Sequence, residues 1–119
     1  QALDRSECLL YFFTAIEALL SGDDKTAPVV QTIARHAAVL LTNENEIRAD
    51  VAGDLKKLYA LRSALVHAGN RSILWSAANS AQVLAESMFQ IVLEKMDLNI
   101  SHKSFCNGLA TASYGTAWP

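Results

Sequence analysis

Arg62 and His67, five positions apart in the segment RSALVH, are the side chains of this sequence best suited to chemistry. An imidazole titrates near neutral pH and can move a proton to or from a reacting group. A guanidinium keeps its charge and offers a planar fork of donors to an oxyanion. The spacing alone favours a plainer alternative, in which Arg62 pairs with an acid such as Glu17. His67 would then be an exposed residue in the last turn of a helix, where a cation interacts favourably with the helix dipole.

The charges are unevenly distributed along the chain. The formal net charge is −2, which argues against a protein that coats nucleic acid. From Leu55 to Ala85, however, there is no Asp or Glu, and four of the ten basic residues lie in this segment: Lys56, Lys57, Arg62 and Arg71. The rest of the chain has six basic and twelve acidic residues. This basic segment in an acidic body favours a site for a phosphate-bearing ligand.

The sequence contains no metal-binding or nucleotide-binding motif. Its histidines are scattered, and there is no HExxH, paired-cysteine, P-loop or GxGxxG pattern. We therefore expect neither a metal nor a cofactor. His36 is expected to form a surface or boundary pair with Arg35. Cys8 and Cys106 stand far apart and are expected to be reduced thiols of a cytoplasmic protein.

The apolar periodicity predicts an all-α fold, a four-helix bundle with antiparallel neighbours joined by short loops. The predicted helices span residues 4–21, 28–41, 43–69 and 72–97. Asp4 and Asn43 are expected to cap the first and third helices, and Gly53 is expected to kink or split the third. Residues 1–97 would form the helical domain. Residues 98–119 would be an irregular tail, or a strap packed through Phe105, Tyr114 and Trp118.

The predicted third helix separates its candidate residues from its buried side. With Leu58 set at zero and about 100° per residue, Leu55, Leu61 and Leu65 complete an apolar stripe within about 60° of it. Tyr59, Ser63 and His67 then follow one another at about 100°, 140° and 180°. Arg62 lies near 40°, beside the buried stripe, so its guanidinium must reach outward or meet a partner.

The string LYALRSALVHAGN resembles the signature of the HEPN superfamily, in particular its Apea-like branch. In that signature an Arg followed by a polar residue precedes a His near the end of a helix, as Arg62, Ser63 and His67 do. Tyr59 and Gly69 match the wider pattern. The segment YFFTAIEALL resembles the opening segment of the same branch, in which an acid at the place of Glu17 is common. The resemblance spans residues 4–70 and extends to the fourth helix only by type.

The resemblance implies metal-independent RNA cleavage, in which the ribose 2′-hydroxyl attacks the adjacent phosphate. His67 would be the general base or acid, and Arg62 would hold the scissile phosphate and stabilise its developing charge. Ser63, which replaces an Asn frequent in catalytic members, would with Tyr59 position the backbone or orient the imidazole. Lys57 and Arg71 would guide the RNA strand.

The resemblance also implies a homodimer that joins two such motifs across a two-fold axis, with Val66, Ile73 and Trp75 as part of the contact. Three functional classes follow. The first is an endoribonuclease, as a toxin or defence effector with an antitoxin or partner domain. The second is a non-catalytic HEPN module that binds RNA or a nucleotide, or regulates a partner domain. The third is a helical dimerisation domain in which Arg62 and His67 are structural.

No membrane segment is expected, because Glu17 interrupts the apolar stretch of the first helix and polar residues recur along the fourth. The chain begins with Gln1 rather than Met, and its helical pattern starts almost at once. It would therefore fit a processed or excised piece of a longer protein.

Overall fold

A computed structural model describes residues 4–22, 28–69 and 75–119. These residues form five α-helices and no strand, so the predicted all-α class is confirmed. No helix within these ranges is long and apolar enough to cross a membrane. The helices are α1 (Arg5–Leu20), α2 (Val29–Leu41), α3 (Asn45–Ala68), α4 (Trp75–Lys95) and α5 (His102–Ala112).

The ends of α1 and α3 follow from local sequence, with one exception. Asp4 caps α1 as predicted, and its carboxylate accepts a hydrogen bond from the backbone N–H of Glu7 at 2.7 Å. Gly69 ends α3 in the left-handed region, at a φ of 67°, where a residue without Cβ is favoured. The predicted cap of α3 by Asn43 is wrong, since the capping position is Glu44 and no side chain caps it. The helix also runs unbroken through Gly53.

The core is built around α1. Leu9, Phe13, Ile16 and Leu20 repeat at helical spacing and are fully enclosed. They lie against the face of α4 on which Ala81 and Met88 are also completely buried. On the other side of the molecule α2 packs closely against α3, which the chain reaches through only three connecting residues, 42–44. The C-terminal part of α3, which carries the candidate motif, contacts α1 through Tyr59, which packs on Phe13, and through Arg62, which pairs with Glu17.

The C-terminal tail differs from the prediction, because residues 102–112 form α5 rather than irregular structure. Its buried residues are Phe105, Cys106, Leu109 and Ala112, a helical period of one face. That period lies in only three turns of small and polar residues, which explains why the sequence pattern did not indicate a helix. Among the expected strap residues, Phe105 and Trp118 meet edge to face at 5.9 Å between ring centroids, whereas Tyr114 is 88% exposed.

A buried arginine, Arg48, ties the end of the chain to the α2–α3 corner. Its guanidinium donates to the carbonyl oxygens of Thr42 at 2.8 Å, Ala112 at 3.1 Å and Thr116 at 2.8 Å. Longer contacts reach the side-chain oxygens of two asparagines, Asn43 at 3.4 Å and Asn45 at 3.5 Å. The planar fork of arginine makes one residue sufficient to join three backbone segments.

Candidate functional site

Arg62 lies where α3 crosses α1, and it is paired with Glu17. Its NH2 atom is 3.1 Å from Oε1 of Glu17, and the two side chains are 25% and 23% exposed. This is the plainer pairing that the spacing of the residues allowed, and it is the one ion pair within the described residues. A pair this accessible to solvent is worth at most about 1 kcal/mol to stability. The guanidinium therefore has a preferred position without being enclosed.

The pair leaves part of its hydrogen-bonding capacity unused. Within the described structure, Arg62 Nε is buried and has no hydrogen-bond partner. Oε1 of Glu17 is also buried and without one, because its contact with Arg62 has the distance of an ion pair but not the geometry of a hydrogen bond. Buried polar atoms are usually satisfied, and unsatisfied ones concentrate where another requirement competes with stability.

His67 is exposed in the last turn of α3, two residues before Gly69. Five positions on a helix correspond to about 140° of rotation and about 7.5 Å of rise from Arg62. The two side chains therefore do not share one face of α3. A single chain presents Arg62 toward α1 and His67 toward solvent, so it does not by itself close both around one phosphate.

Tyr59 and Ser63 lie between these two directions and are partly buried. The ring of Tyr59 packs edge to face on Phe13 of α1, with 5.9 Å between ring centroids. This contact fixes Tyr59 to the core. Ser63 is four residues before His67 on the same side of the helix, a spacing at which side chains are neighbours. Ser63 is the better placed of the two to meet the imidazole.

Neither of the two residues expected to guide RNA is shown beside Arg62 and His67. Lys57 is exposed and lines a different groove, between α3 and α4, of about 520 Å³. Arg71 lies outside the described residues, as does Ile73 of the expected dimer contact. Val66 and Trp75, the other residues of that contact, are 50% and 52% exposed, and Arg5 lies 5.9 Å over the Trp75 ring.

His36 does not form the expected surface pair with Arg35. It is 4% exposed, and its Nδ1–H donates to the carbonyl oxygen of Leu20 at 2.8 Å. Burial lowers the pKa of His36 below its usual 6.5, and the charge of Arg35 and the proximity of His102 lower the pKa further. The hydrogen bond to Leu20 acts in the opposite direction. His36 is thus a neutral cap for the last turn of α1.

His102 and Cys106 of α5 close on the same end of α1. Nε2 of His102 lies 2.8 Å from the carbonyl oxygen of Leu19 and 3.5 Å from Sγ of Cys106. Cys8 and Cys106 are not joined by a disulfide. Among the described residues no group of three or more His, Cys, Asp or Glu side chains has the arrangement of a metal site. The sequence pattern did not point to the meeting of His36 and His102 at the end of α1, because the two histidines lie on different helices, α2 and α5, and contact the backbone of a third.

The fold and the motif define the chain as an all-helical domain with an arginine and a histidine on its third helix. No protein-family model matches the chain, and no curated protein or solved structure matches it significantly. The likeness to HEPN proteins therefore rests on the residues of α1 and α3 described above.

Proposed function

We propose that this protein is a metal-independent endoribonuclease of the HEPN type that acts as a homodimer. The observation that carries the proposal is the state of the two motif residues. Arg62 is held by Glu17 with a quarter of its side chain exposed, and His67 is exposed on the same helix. One residue is suited to bind the phosphate and the other to move the proton.

In the proposed reaction, neutral His67 accepts the proton of the ribose 2′-hydroxyl as its oxygen attacks the adjacent phosphorus. The bond from phosphorus to the 5′-oxygen breaks, that oxygen takes a proton from water as it leaves, and the His67 imidazolium returns its proton to the hydroxide so formed. The products are a 2′,3′-cyclic phosphate and a 5′-hydroxyl end. Arg62 binds the non-bridging oxygens and stabilises the extra charge of the transition state.

The separation of the two residues around α3 is the reason for proposing a dimer. Because about 140° separates Arg62 from His67, a phosphate bound at Arg62 of one chain is better met by residues of a second copy. Val66 and Trp75 are exposed apolar residues beside the motif and would supply part of an isologous contact. Sedimentation at high micromolar concentration tests this point, and a monomer with no partner chain would count against it.

The test of the activity compares the parent with His67→Ala and Arg62→Lys on a labelled single-stranded RNA, with and without EDTA. His67→Ala should lower the rate about 10²–10⁴-fold, the usual worth of general acid–base catalysis. Arg62→Lys keeps the charge but loses the two-pronged grip and should also be impaired. Lys95→Arg, a conservative change at the exposed C-terminal end of α4, is the matched control and should cut like the parent. Loss of cleavage in EDTA, or full activity of both motif variants, would refute the mechanism.

A non-catalytic HEPN module is the second candidate, and one specific residue favours it. Ser63 stands where catalytic members frequently have Asn, and a hydroxyl offers fewer hydrogen bonds than an amide. If the parent binds the RNA but leaves it intact, and Ser63→Asn produces cleavage, the fold is competent and this position alone is responsible. If both proteins bind without cutting, the binding module is the better account. A chain that dimerises but binds no RNA would be the plain dimerisation domain.

A further inference from the structure

A second basic site lies between α2 and α3, apart from the motif. The cleft has a volume of about 280 Å³ and is lined by three cations, Arg35, Arg48 and Lys56. Gln31 and Ser113 contribute the polar groups of its wall, and the remaining lining residues are alanines and one valine. No Asp or Glu is among the described residues that line it. We propose that this cleft binds a phosphate group, and that in the full complex the phosphate belongs to an RNA backbone.

Arg48 supplies a fixed positive charge at the floor of the cleft. It is 7% exposed, and its donors go to backbone carbonyls and asparagine amide oxygens, none of which carries a charge. A buried charge without a counter-ion is costly, and neutral dipoles offset only part of the cost. A phosphate in the cleft would supply the missing negative charge at short range and in partial shelter from solvent.

Arg35 and Lys56 provide the exposed donors, one from each wall. Both side chains are exposed, and neither forms an ion pair with another described residue. The acids of α3 that are nearest to Lys56 in sequence point elsewhere, since Asp50 and Asp54 lie about 120° and 160° round the helix from it. The alanines between the cations leave the space that a phosphate needs. An arginine fork and a lysine ammonium facing each other can share the oxygens of one phosphate.

The cleft also lies on the face of α3 that carries His67. Lys56 and His67 are eleven positions apart, which corresponds to about 20° of rotation and about 16 Å along the helix. A strand that follows this face would reach from the cleft to His67 within a few nucleotides. The assignment of the phosphate to RNA rests on the proposed function. The anion site itself rests only on the three cations and their surroundings.

Binding is measured in the His67→Ala background, so that cleavage does not consume the probe. Fluorescence anisotropy of a labelled single-stranded RNA is recorded at several salt concentrations for this protein and for its Arg35→Gln/Lys56→Gln derivative. Each phosphate contact on a single strand contributes about 0.7 to the slope of log K against log salt. The two cations share one phosphate in this proposal, so loss of both should lower that slope by about 0.7 and weaken binding at low salt.

The matched control is Lys95→Gln/Lys103→Gln, which removes two exposed cations from α4 and α5 that do not line the cleft. It lowers the net charge equally and should leave the slope near that of the starting protein. Pyrophosphate and a mononucleotide are titrated as competitors to distinguish the source of the phosphate. Displacement of RNA only by a longer unlabelled strand assigns the cleft to a polynucleotide backbone. Displacement by micromolar pyrophosphate or mononucleotide assigns it to a free ligand.

The outcomes separate this proposal from the ribonuclease. If RNA binds and the cleft variant keeps the slope of the control, the cleft proposal is overturned while the ribonuclease stands. If the parent never cuts RNA but binds RNA or pyrophosphate through Arg35 and Lys56, the cleft proposal is supported and the catalytic one fails. If neither RNA nor millimolar pyrophosphate binds, the cleft is not an anion site.

Discussion

Replacing Arg48 by methionine should be among the most damaging single changes to this fold. Methionine keeps most of the aliphatic stem and so isolates the loss of the guanidinium from a loss of packing. Three carbonyl oxygens would lose a charged donor, and they belong to Thr42, Ala112 and Thr116. These three groups lie at the end of α2, at the end of α5 and in the C-terminal segment. The change therefore removes the hydrogen bonds that tie the end of α5 and the C-terminal segment to the α2–α3 corner.

The expected loss is about 3 kcal/mol of unfolding free energy. A hydrogen bond from a charged group contributes about 1.5–3 kcal/mol, and a carbonyl left buried without a partner costs about 1–3 kcal/mol. Of the three short bonds, the one to Ala112 is buried, while those to Thr42 and Thr116 are partly buried, so water can replace part of their contribution. Removal of a buried charge offsets some of the loss as well. Because each of the three short hydrogen bonds contributes less than its full value, their loss lowers the free energy of unfolding by about 3 kcal/mol, against a total stability of about 5–15 kcal/mol.

Urea denaturation followed by circular dichroism measures this loss. With a slope of about 2 kcal/mol per molar urea, the midpoint should fall by about 1.5 M. Arg35→Met is the control, since Arg35 is exposed and should change stability by no more than about 0.5 kcal/mol. Hydrogen exchange should speed up first in α5. A midpoint for Arg48→Met within experimental error of the control would show that the guanidinium does not hold the tail, and would refute the reasoning.

Three further predictions concern stability. Gly69→Ala should lower the free energy of unfolding by about 1 kcal/mol, because alanine is strained at a φ of 67°. Gly53→Ala should raise it by about 0.5–1 kcal/mol, because Gly53 lies in a helix interior with nothing within 4 Å of the new methyl. Equal melting temperatures of the two variants would contradict both expectations. Because burial lowers the pKa of folded His36 below the 6.5 of the unfolded chain, stability should be full above about pH 6.5 and fall as the pH drops below it. Urea midpoints at pH 7.5 and 5.5 test this, and a drop as large in His36→Gln would assign it to other groups. Ser101→Ala removes the side chain that accepts from the backbone N–H of Ser104 at 3.0 Å and should cost about 1 kcal/mol, with protection of α5 amides as the readout.

Helices whose apolar residues repeat over several turns could be predicted from the sequence, because only one secondary structure places such a repeat on a single buried side. In α1, Leu9, Phe13, Ile16 and Leu20 repeat over about three turns, and only a helix buries them together. The stripe of α3 was predicted in the same way; Leu55, Leu58 and Leu65 are buried, and Leu61 is partly buried. In α5 the buried face is short and made of mixed residue types, so its burial depends on the neighbouring helices rather than on the local pattern.

The candidate site was likewise predictable from the sequence in part, and the rest was set by the tertiary structure. Residue types and helical spacing determined that Arg62 lies beside the buried stripe and that His67 is exposed opposite it, because rotation about a helix axis is fixed by residue number. The sequence also offered Glu17 as a partner for Arg62, and the two side chains meet at 3.1 Å. Tertiary packing alone decided that His36 is buried against Leu20, and that Arg35, Arg48 and Lys56 converge on one cleft. The members of each of these groups come from different helices. Which of them meet is set by how the helices cross, and that is determined by the fit of all the buried side chains together.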